Sequence, residues 1–170
     1  MTTEQVIYNQ AIKGTNNNPG LPVSLANLLV SQAKHETGNF TSNFFKNYNN
    51  AFGYSYNQNS SYQIAPGTIA DNGIKIAAYR NIADSTKEVI DWIYRRVNDG
   101  SFPKNLNTIV SPEQYVLLLK KAGYFTDTIT NYLTGLKKYF TQVLQIFEKP
   151  TALVFLGIVS IAVYFLIKKK

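Results

Sequence analysis

Residues 24–38, SLANLLVSQAKHETG, carry the clearest helical period in the chain. Leu25, Leu28, Leu29, Gln32 and Glu36 recur at intervals of three and four, so they share one side of a helix. Ser24 is suited to cap its start, and Gly38 to stop it. The side that should bury itself therefore ends in a carboxyl group, at the end of the helix where the dipole is negative. Desolvation and that dipole both favour the neutral acid, which raises its expected pKa. A carboxyl that stays protonated near neutral pH is what protonation of a glycosidic oxygen requires. The competing reading is a glutamate that fraying leaves in water. His35 points about 100° away on the same helix and reads as a surface or packing residue.

Outward from this helix the chain reads as mostly helical. Residues 3–13 form a short helix with Val6, Ile7 and Ala11 inward, ending at Gly14. From residue 39 to residue 81 the helical period disappears and Gly, Pro, Asn, Ser and Tyr dominate. That stretch reads as a long loop region with one small hairpin, residues 62–70 pairing with residues 74–79 across Asp71, Asn72 and Gly73. Ser85 and Glu88 fit a capping box, with Val89, Ile90, Ile93 and Val97 as the next apolar stripe. Ser111 and Pro112 start another helix, whose Tyr115, Leu118, Leu119 and Ala122 face inward before Gly123. Asp127 or Thr128 caps a last amphipathic helix through Leu133, Leu136, Phe140, Val143, Leu144 and Phe147. The expected fold class is α+β, mostly α, with a small irregular β insertion.

Beyond Pro150 the pattern changes. Residues 151–167, TALVFLGIVSIAVYFLI, are interrupted only by Thr151 and Ser160 and closed by Lys168, Lys169 and Lys170. At 1.5 Å per residue the run spans roughly 25 Å, the short end of what crosses a bilayer, and the lysines can snorkel to the phosphate layer. The sequence thus predicts one domain over residues 1–149 and a C-terminal transmembrane anchor over residues 150–170, with the lipid bilayer as a partner. A buried core helix is the alternative reading of the run. No apolar leader segment is visible in residues 1–20.

Composition narrows the chemistry. The chain holds 17 Lys and Arg against 10 Asp and Glu, a net +7 to which the three terminal lysines contribute. So mild a basic bias suits an anionic glycan or a phospholipid surface but lacks the dense Lys/Arg stripe of a nucleic-acid partner. Without cysteine, with one histidine and with no phosphate-cradling glycine loop, the signatures of thiol proteases, HExxH zinc hydrolases and nucleotide enzymes are missing. Carboxyl chemistry remains. Asp84, Glu88, Asp99, Glu113 and Asp127 have uses at helix ends or turns, and Glu4, Asp91 and Glu148 read as solvated helix faces. Glu36 and Asp71 are left over. Asp71 fits a hairpin turn, yet it is the only acid between Glu36 and Asp84, so a second carboxyl from the insertion must be this one. Tyr54, Tyr56 and Tyr62 could stack on sugar rings or pack the insertion onto the helices.

Four short segments follow one another: Gln32-Ala33-Lys34-His35-Glu36-Thr37-Gly38, Asn50-Ala51-Phe52-Gly53, Tyr79-Arg80 and Ala122-Gly123-Tyr124-Phe125-Thr126-Asp127. In that order they resemble the motifs of the glucosaminidase family of peptidoglycan hydrolases, the flagellar and autolysin type, across roughly residues 23–139. The resemblance implies a lysozyme-like fold, Glu36 as general acid, Tyr124 as the active-site tyrosine and Asn50, Phe52 and Gly53 on the cleft floor. Tyr54 and Tyr79 complete the expected substrate-binding set. Thr37, Ala51, Tyr54 and Ser55 depart from the residues usual in the family, and its β-lobe glutamate has no counterpart except Asp71. No metal or organic cofactor is implied.

The expected activity is that of a membrane-anchored endo-β-N-acetylglucosaminidase cutting cell-wall glycan strands. Glu36 protonates the leaving oxygen, and either Asp71 activates a water or the substrate's acetamido group assists from the opposite face. The rival expectation is a non-catalytic glycan-binding or structural membrane protein on the same fold. The expected location is a membrane, either the internal membrane of a bacteriophage virion beside other membrane or capsid proteins, or the bacterial cytoplasmic membrane with the domain facing the wall.

Overall fold

The computed structural model describes residues 1–70 and 73–147. Six α-helices and a two-stranded sheet follow in the order α1 (Thr3–Lys13), α2 (Val23–Glu36), α3 (Asn43–Tyr48), β1 (Gln63–Ile69), β2 (Lys75–Tyr79), α4 (Ile82–Asn98), α5 (Pro112–Lys121) and α6 (Ile129–Phe147), with a 3-10 turn at Leu106–Thr108 before α5. The mostly helical α+β reading holds.

Helix α2 is the axis of the domain. Every side chain from Leu25 to Lys34 is buried, because α1, α6 and the 3-10 turn all pack around it. Burying Leu25, Leu28 and Leu29, none with measurable exposure, contributes about 1.5–3 kcal/mol each. Ser24 does not cap α2. Pro22 precedes the helix, and the Ser24 hydroxyl donates instead to the Ile109 carbonyl at 3.0 Å, tying α2 to the segment before α5. Helix α1 opens with a reciprocal Thr2–Gln5 capping box, and α5 with one between Ser111 and Gln114 and Pro112 in its first turn. The Thr128 hydroxyl accepts from Asn131 N at 3.2 Å at the start of α6.

Two elements depart from the sequence reading. Helix α4 starts at Ile82, because the Asn81 side chain accepts from Asp84 N at 2.9 Å. Ser85 and Glu88 thus lie inside the helix rather than forming its cap. Helix α3, capped by Ser42, lies in a stretch read as loop. Its six residues are too few for a helical period to show.

The expected hairpin is present. β1 and β2 pair antiparallel, with Gln63 opposite Tyr79 and Ile69 opposite Lys75, and two irregularities in register accommodate Pro66. Asp71 and Asn72, which fall between the two strands in the sequence, lie outside the described residues. Along the other edge of β2, Ala77 N donates to Tyr54 O at 2.9 Å and Tyr56 N to Lys75 O at 2.7 Å. This fastens residues 54–56 to the sheet.

The acids of α4 staple these parts together. Glu88 accepts from the Tyr79 hydroxyl at 2.7 Å and from Gln63 Nε2 at 2.9 and 3.0 Å. Asp91 accepts from Thr15, Asn18 and Tyr62, each at 2.7 Å, so it is not a solvated helix face.

The expected transmembrane helix requires correction. Among the described residues no helix is long and apolar enough to cross a membrane, and α6 is amphipathic, burying Tyr132, Leu136 and Val143 while its other side faces solvent. The segment 150–170, on which the anchor was expected, lies outside the described residues. Over the described residues the fold class is therefore α+β, with no membrane-spanning helix among them. The expectations of a membrane location and a lipid partner, which rested on that anchor, lose their support.

Candidate active site

A cleft of about 690 Å³ opens where α2 ends, walled by residues 52–55, Trp92 of α4, residues 123–127 and Tyr132 of α6. Glu36, the last residue of α2, reaches into it. Burial pushes the Glu36 carboxyl above the usual range, and a hydrogen bond from the Tyr132 hydroxyl to Oε1, at 2.5 Å, pulls it partly back. The rise anticipated from the apolar helix face is present, with desolvation as its main cause.

After Glu36 the backbone reverses through Gly38, Asn39 and Phe40, with φ of 58°, 61° and 64°. Thr37 holds this left-handed turn by donating from its hydroxyl to Ala33 O at 2.6 Å and accepting from Phe40 N at 2.8 Å. Across the cleft Gly53, at φ +66°, brings its backbone so close that an added Cβ would lie 3.6 Å from Glu36 Oε2. A left-handed glycine thus lets the loop approach the carboxyl without covering it.

The expected site residues divide into two groups. Phe52, Gly53, Tyr54 and Tyr124 line the cleft with Glu36. Asn50 and Tyr79 lie behind it. Asn50 brackets the loop, Nδ2 donating to Tyr54 O at 2.8 Å and Ala77 O at 3.1 Å while Oδ1 accepts from Tyr54 N at 3.0 Å. Tyr79 is buried with its hydroxyl on Glu88, and burial together with that carboxylate raises its pKa. The Tyr124 hydroxyl donates to Phe52 O at 2.7 Å, and its ring stands edge-on to Trp92 at 5.2 Å. Burial also pushes the Tyr54 and Tyr124 hydroxyls up. Asp71 lies outside the described residues.

Tyr132, Trp92 and Phe125 belong to the wall; the sequence reading gives no role to Tyr132 or Trp92 and names Phe125 only within its motif. Tyr132 stacks on Phe125 at 4.0 Å. The available signal was that Tyr132 lies four residues before Leu136 on the buried stripe of α6. His35 lines the cleft as well, edge-on to Tyr132 at 4.6 Å. Burial lowers its pKa while the negative charge of Asp127 works the other way. Asp127 also lines the cleft and accepts through Oδ1 from Thr128 N and Asn131 Nδ2. Among the described residues no three His, Asp or Glu side chains converge as a metal site.

A partly buried acid with a raised pKa, set in an open groove with aromatic walls, can protonate a leaving oxygen of a polymer threaded through it. Comparison with known proteins agrees with that chemistry. Residues 22–148 match the family model Glucosaminidase, described as mannosyl-glycoprotein endo-beta-N-acetylglucosaminidase. No curated protein sequence matches the chain. Among solved structures the chain is similar to one from a type VI secretion system effector–immunity complex of Pseudomonas protegens. The TM-score is 0.50 at 20% identity, over 84% of this chain and 86% of that one. At that identity the likeness concerns the fold alone.

Proposed function

The chain belongs to the glucosaminidase family, which its match covers over more than half its length, and from that premise we propose a mechanism for its action on the glycan strand. It is a glycoside hydrolase acting on peptidoglycan. The bond cut is the glycosidic bond of N-acetylglucosamine, leaving that sugar as the new reducing end. Residues 1–149 form the catalytic domain.

Glu36 is the general acid. As the bond from C1 to the leaving oxygen breaks, the electron pair departs with that oxygen, which takes the Glu36 proton. Two routes serve the opposite face. In one, the oxygen of the sugar's acetamido group bonds to C1; the Glu36 carboxylate then takes a proton from water, whose oxygen displaces the acetamido oxygen and restores the acid. In the other, Asp71 takes the proton from a water that attacks C1 directly. Glu88 is engaged by Tyr79 and Gln63, and Asp127 by the opening turn of α6, which leaves the acetamido group and Asp71 as the two candidates for that face.

Tyr124 holds the Phe52–Gly53 turn by its hydroxyl and offers its ring as part of the wall, with Tyr54 and Trp92 as further surfaces for sugar rings. The observation that carries this reading is the placement of the Glu36 carboxyl in the wall of an open cleft, where burial raises its pKa. It is tested by the clearing of purified peptidoglycan by the full chain and by Glu36→Gln. Loss of clearing in a variant that remains folded is expected, and clearing at near the parent rate would remove Glu36 from the role.

A further inference from the structure

Tyr132 meets Glu36 on one oxygen only. Its hydroxyl donates to Oε1, while Oε2 is the oxygen nearest the Gly53 backbone, at the mouth of the loop. We propose that Tyr132 is a positioning residue which reserves Oε1 as an acceptor, so that the proton Glu36 delivers resides on Oε2. This rests on the assignment of Glu36 as the acid.

The argument is one of donors and acceptors. A phenol has a single proton, and here it points at Oε1. If the neutral acid carried its proton on Oε1, the phenol could keep the bond only by turning its own proton away and accepting instead, and among the described residues Glu36 is the one acceptor recorded for that proton. With the proton on Oε2, Oε1 is a carbonyl oxygen and accepts from Tyr132 in both ionisation states of the carboxyl. The phenol itself remains neutral, because burial and the Glu36 charge hold its pKa far above the working range.

The packing behind Tyr132 keeps that geometry. Its ring lies flat on Phe125 and edge-on to His35. Gln32, one turn before Glu36 on α2, accepts from the Tyr115 hydroxyl at 2.6 Å. This anchors the amide in the buried layer behind Tyr132. Gly53 is the counterpart on the Oε2 side, because a side chain there would stand against the oxygen that must reach substrate.

Tyr132 should also set the pH range. Its hydrogen bond stabilises the carboxylate, so its removal should raise the Glu36 pKa. The other groups acting on this carboxyl or lining its cleft are Tyr115 of α5, Tyr54 and Tyr124 of the flanking loops, His35 beside it and Asp127 across the cleft; Glu88 and Arg95 of α4 act on Tyr54. The three tyrosines have raised pKa values and remain neutral. His35 and Asp127 are unchanged in a Tyr132→Phe protein, which keeps the ring and its stacking.

The test is Tyr132→Phe in the full chain, read in two ways. The Glu36 carboxyl carbon is titrated by NMR, and the alkaline limb of kcat/KM is followed on purified peptidoglycan. Both are expected to move up together by about one pH unit, the scale of a lost hydrogen bond to a charged group, while KM changes little. A limb and a titration that stay in place, or move down, would overturn the proposal.

Should Tyr132→Phe fail to fold, the parent protein still decides. In the infrared difference between the parent and Glu36→Gln at acid pH, the Glu36 C=O stretch is expected at the lowered frequency of a hydrogen-bonded carbonyl. A stretch typical of a free carbonyl would overturn the assignment of Oε1. The two levels fail separately: an active Glu36→Gln protein sinks the acid itself, whereas an inactive Glu36→Gln with an unmoved Tyr132→Phe limb sinks only the role of Tyr132.

Discussion

Glu36 sits between two opposed influences, burial that disfavours its charge and a Tyr132 hydroxyl that favours it, and burial wins. The consequence for stability has a definite sign. A carboxyl whose folded pKa exceeds its unfolded value costs nothing below the unfolded pKa, about 4.3 for a free glutamate, and destabilises progressively as pH rises through the folded value. Glu36→Gln should therefore melt at a higher temperature than the parent at neutral to mildly alkaline pH. The gap should close as the pH falls towards 4, and thermal melts across that range check it. Tyr124→Phe tests the wall. It removes the donor to Phe52 O, and an unpaired buried carbonyl costs about 1–3 kcal/mol. A lower melting temperature and slower peptidoglycan clearing are expected together, whereas unchanged values in both would show that the Phe52–Gly53 turn is held by other contacts. At this scale the sequence disclosed Glu36, because a carboxyl on an apolar helix face stands out from a 3.6-residue period. It concealed Tyr132, because an aromatic on a buried stripe looks like core until the partner across the cleft is known.

Helices α2 and α6 meet closely where His35 faces Gly135. A Cβ at Gly135 would lie 2.2 Å from His35 Cε1, so only glycine admits the ring here. Gly135→Ala gains about 1 kcal/mol of helix propensity and loses about 1–3 kcal/mol to overpacking. The expected net effect is a small loss of stability, with His35 displaced into the cleft and activity reduced; a stabilised, fully active Gly135→Ala protein would show that the ring moves freely. Most element boundaries were legible, because Gly14, Gly100, Gly123 and the Ser111–Pro112 pair punctuate the chain. Two were not. Asn81 captured the start of α4 from the Ser85–Glu88 pattern, and Glu88 proved to be a buried acceptor for the hairpin. A local capping pattern cannot reveal a partner contributed by another element. Helix α3 escaped because one and a half turns rest on tertiary contacts, Phe45 against Phe40 among them, rather than on periodicity.

On the scale of the whole molecule, the helical frame around α2 supplies the acid while the hairpin and the strand-like segment 54–56 hold the opposite wall of the cleft. The helical period, and its loss between residues 39 and 81, anticipated this mostly helical domain with a small β insertion. The anchor expected over residues 150–170 rests on an apolar run and its closing lysines, and no membrane-spanning helix exists among the described residues. Asp71, at the hairpin's tip in the sequence, separates the two catalytic routes. Asparagine suits the same turn, so Asp71→Asn should keep its activity if the acetamido group assists, and lose roughly a hundredfold or more if Asp71 is the base. Initial rates on purified peptidoglycan distinguish these outcomes. The central claim, a hydrolase that cuts at N-acetylglucosamine with Glu36 as its acid, meets its most direct test in the products. Peptidoglycan digested by the full chain and by Glu36→Gln is reduced and analysed by mass spectrometry. The account predicts new reducing N-acetylglucosamine ends from the parent protein and none from Glu36→Gln. Anhydro-muramic ends, reducing muramic ends, or the same products from Glu36→Gln at a comparable rate would contradict it.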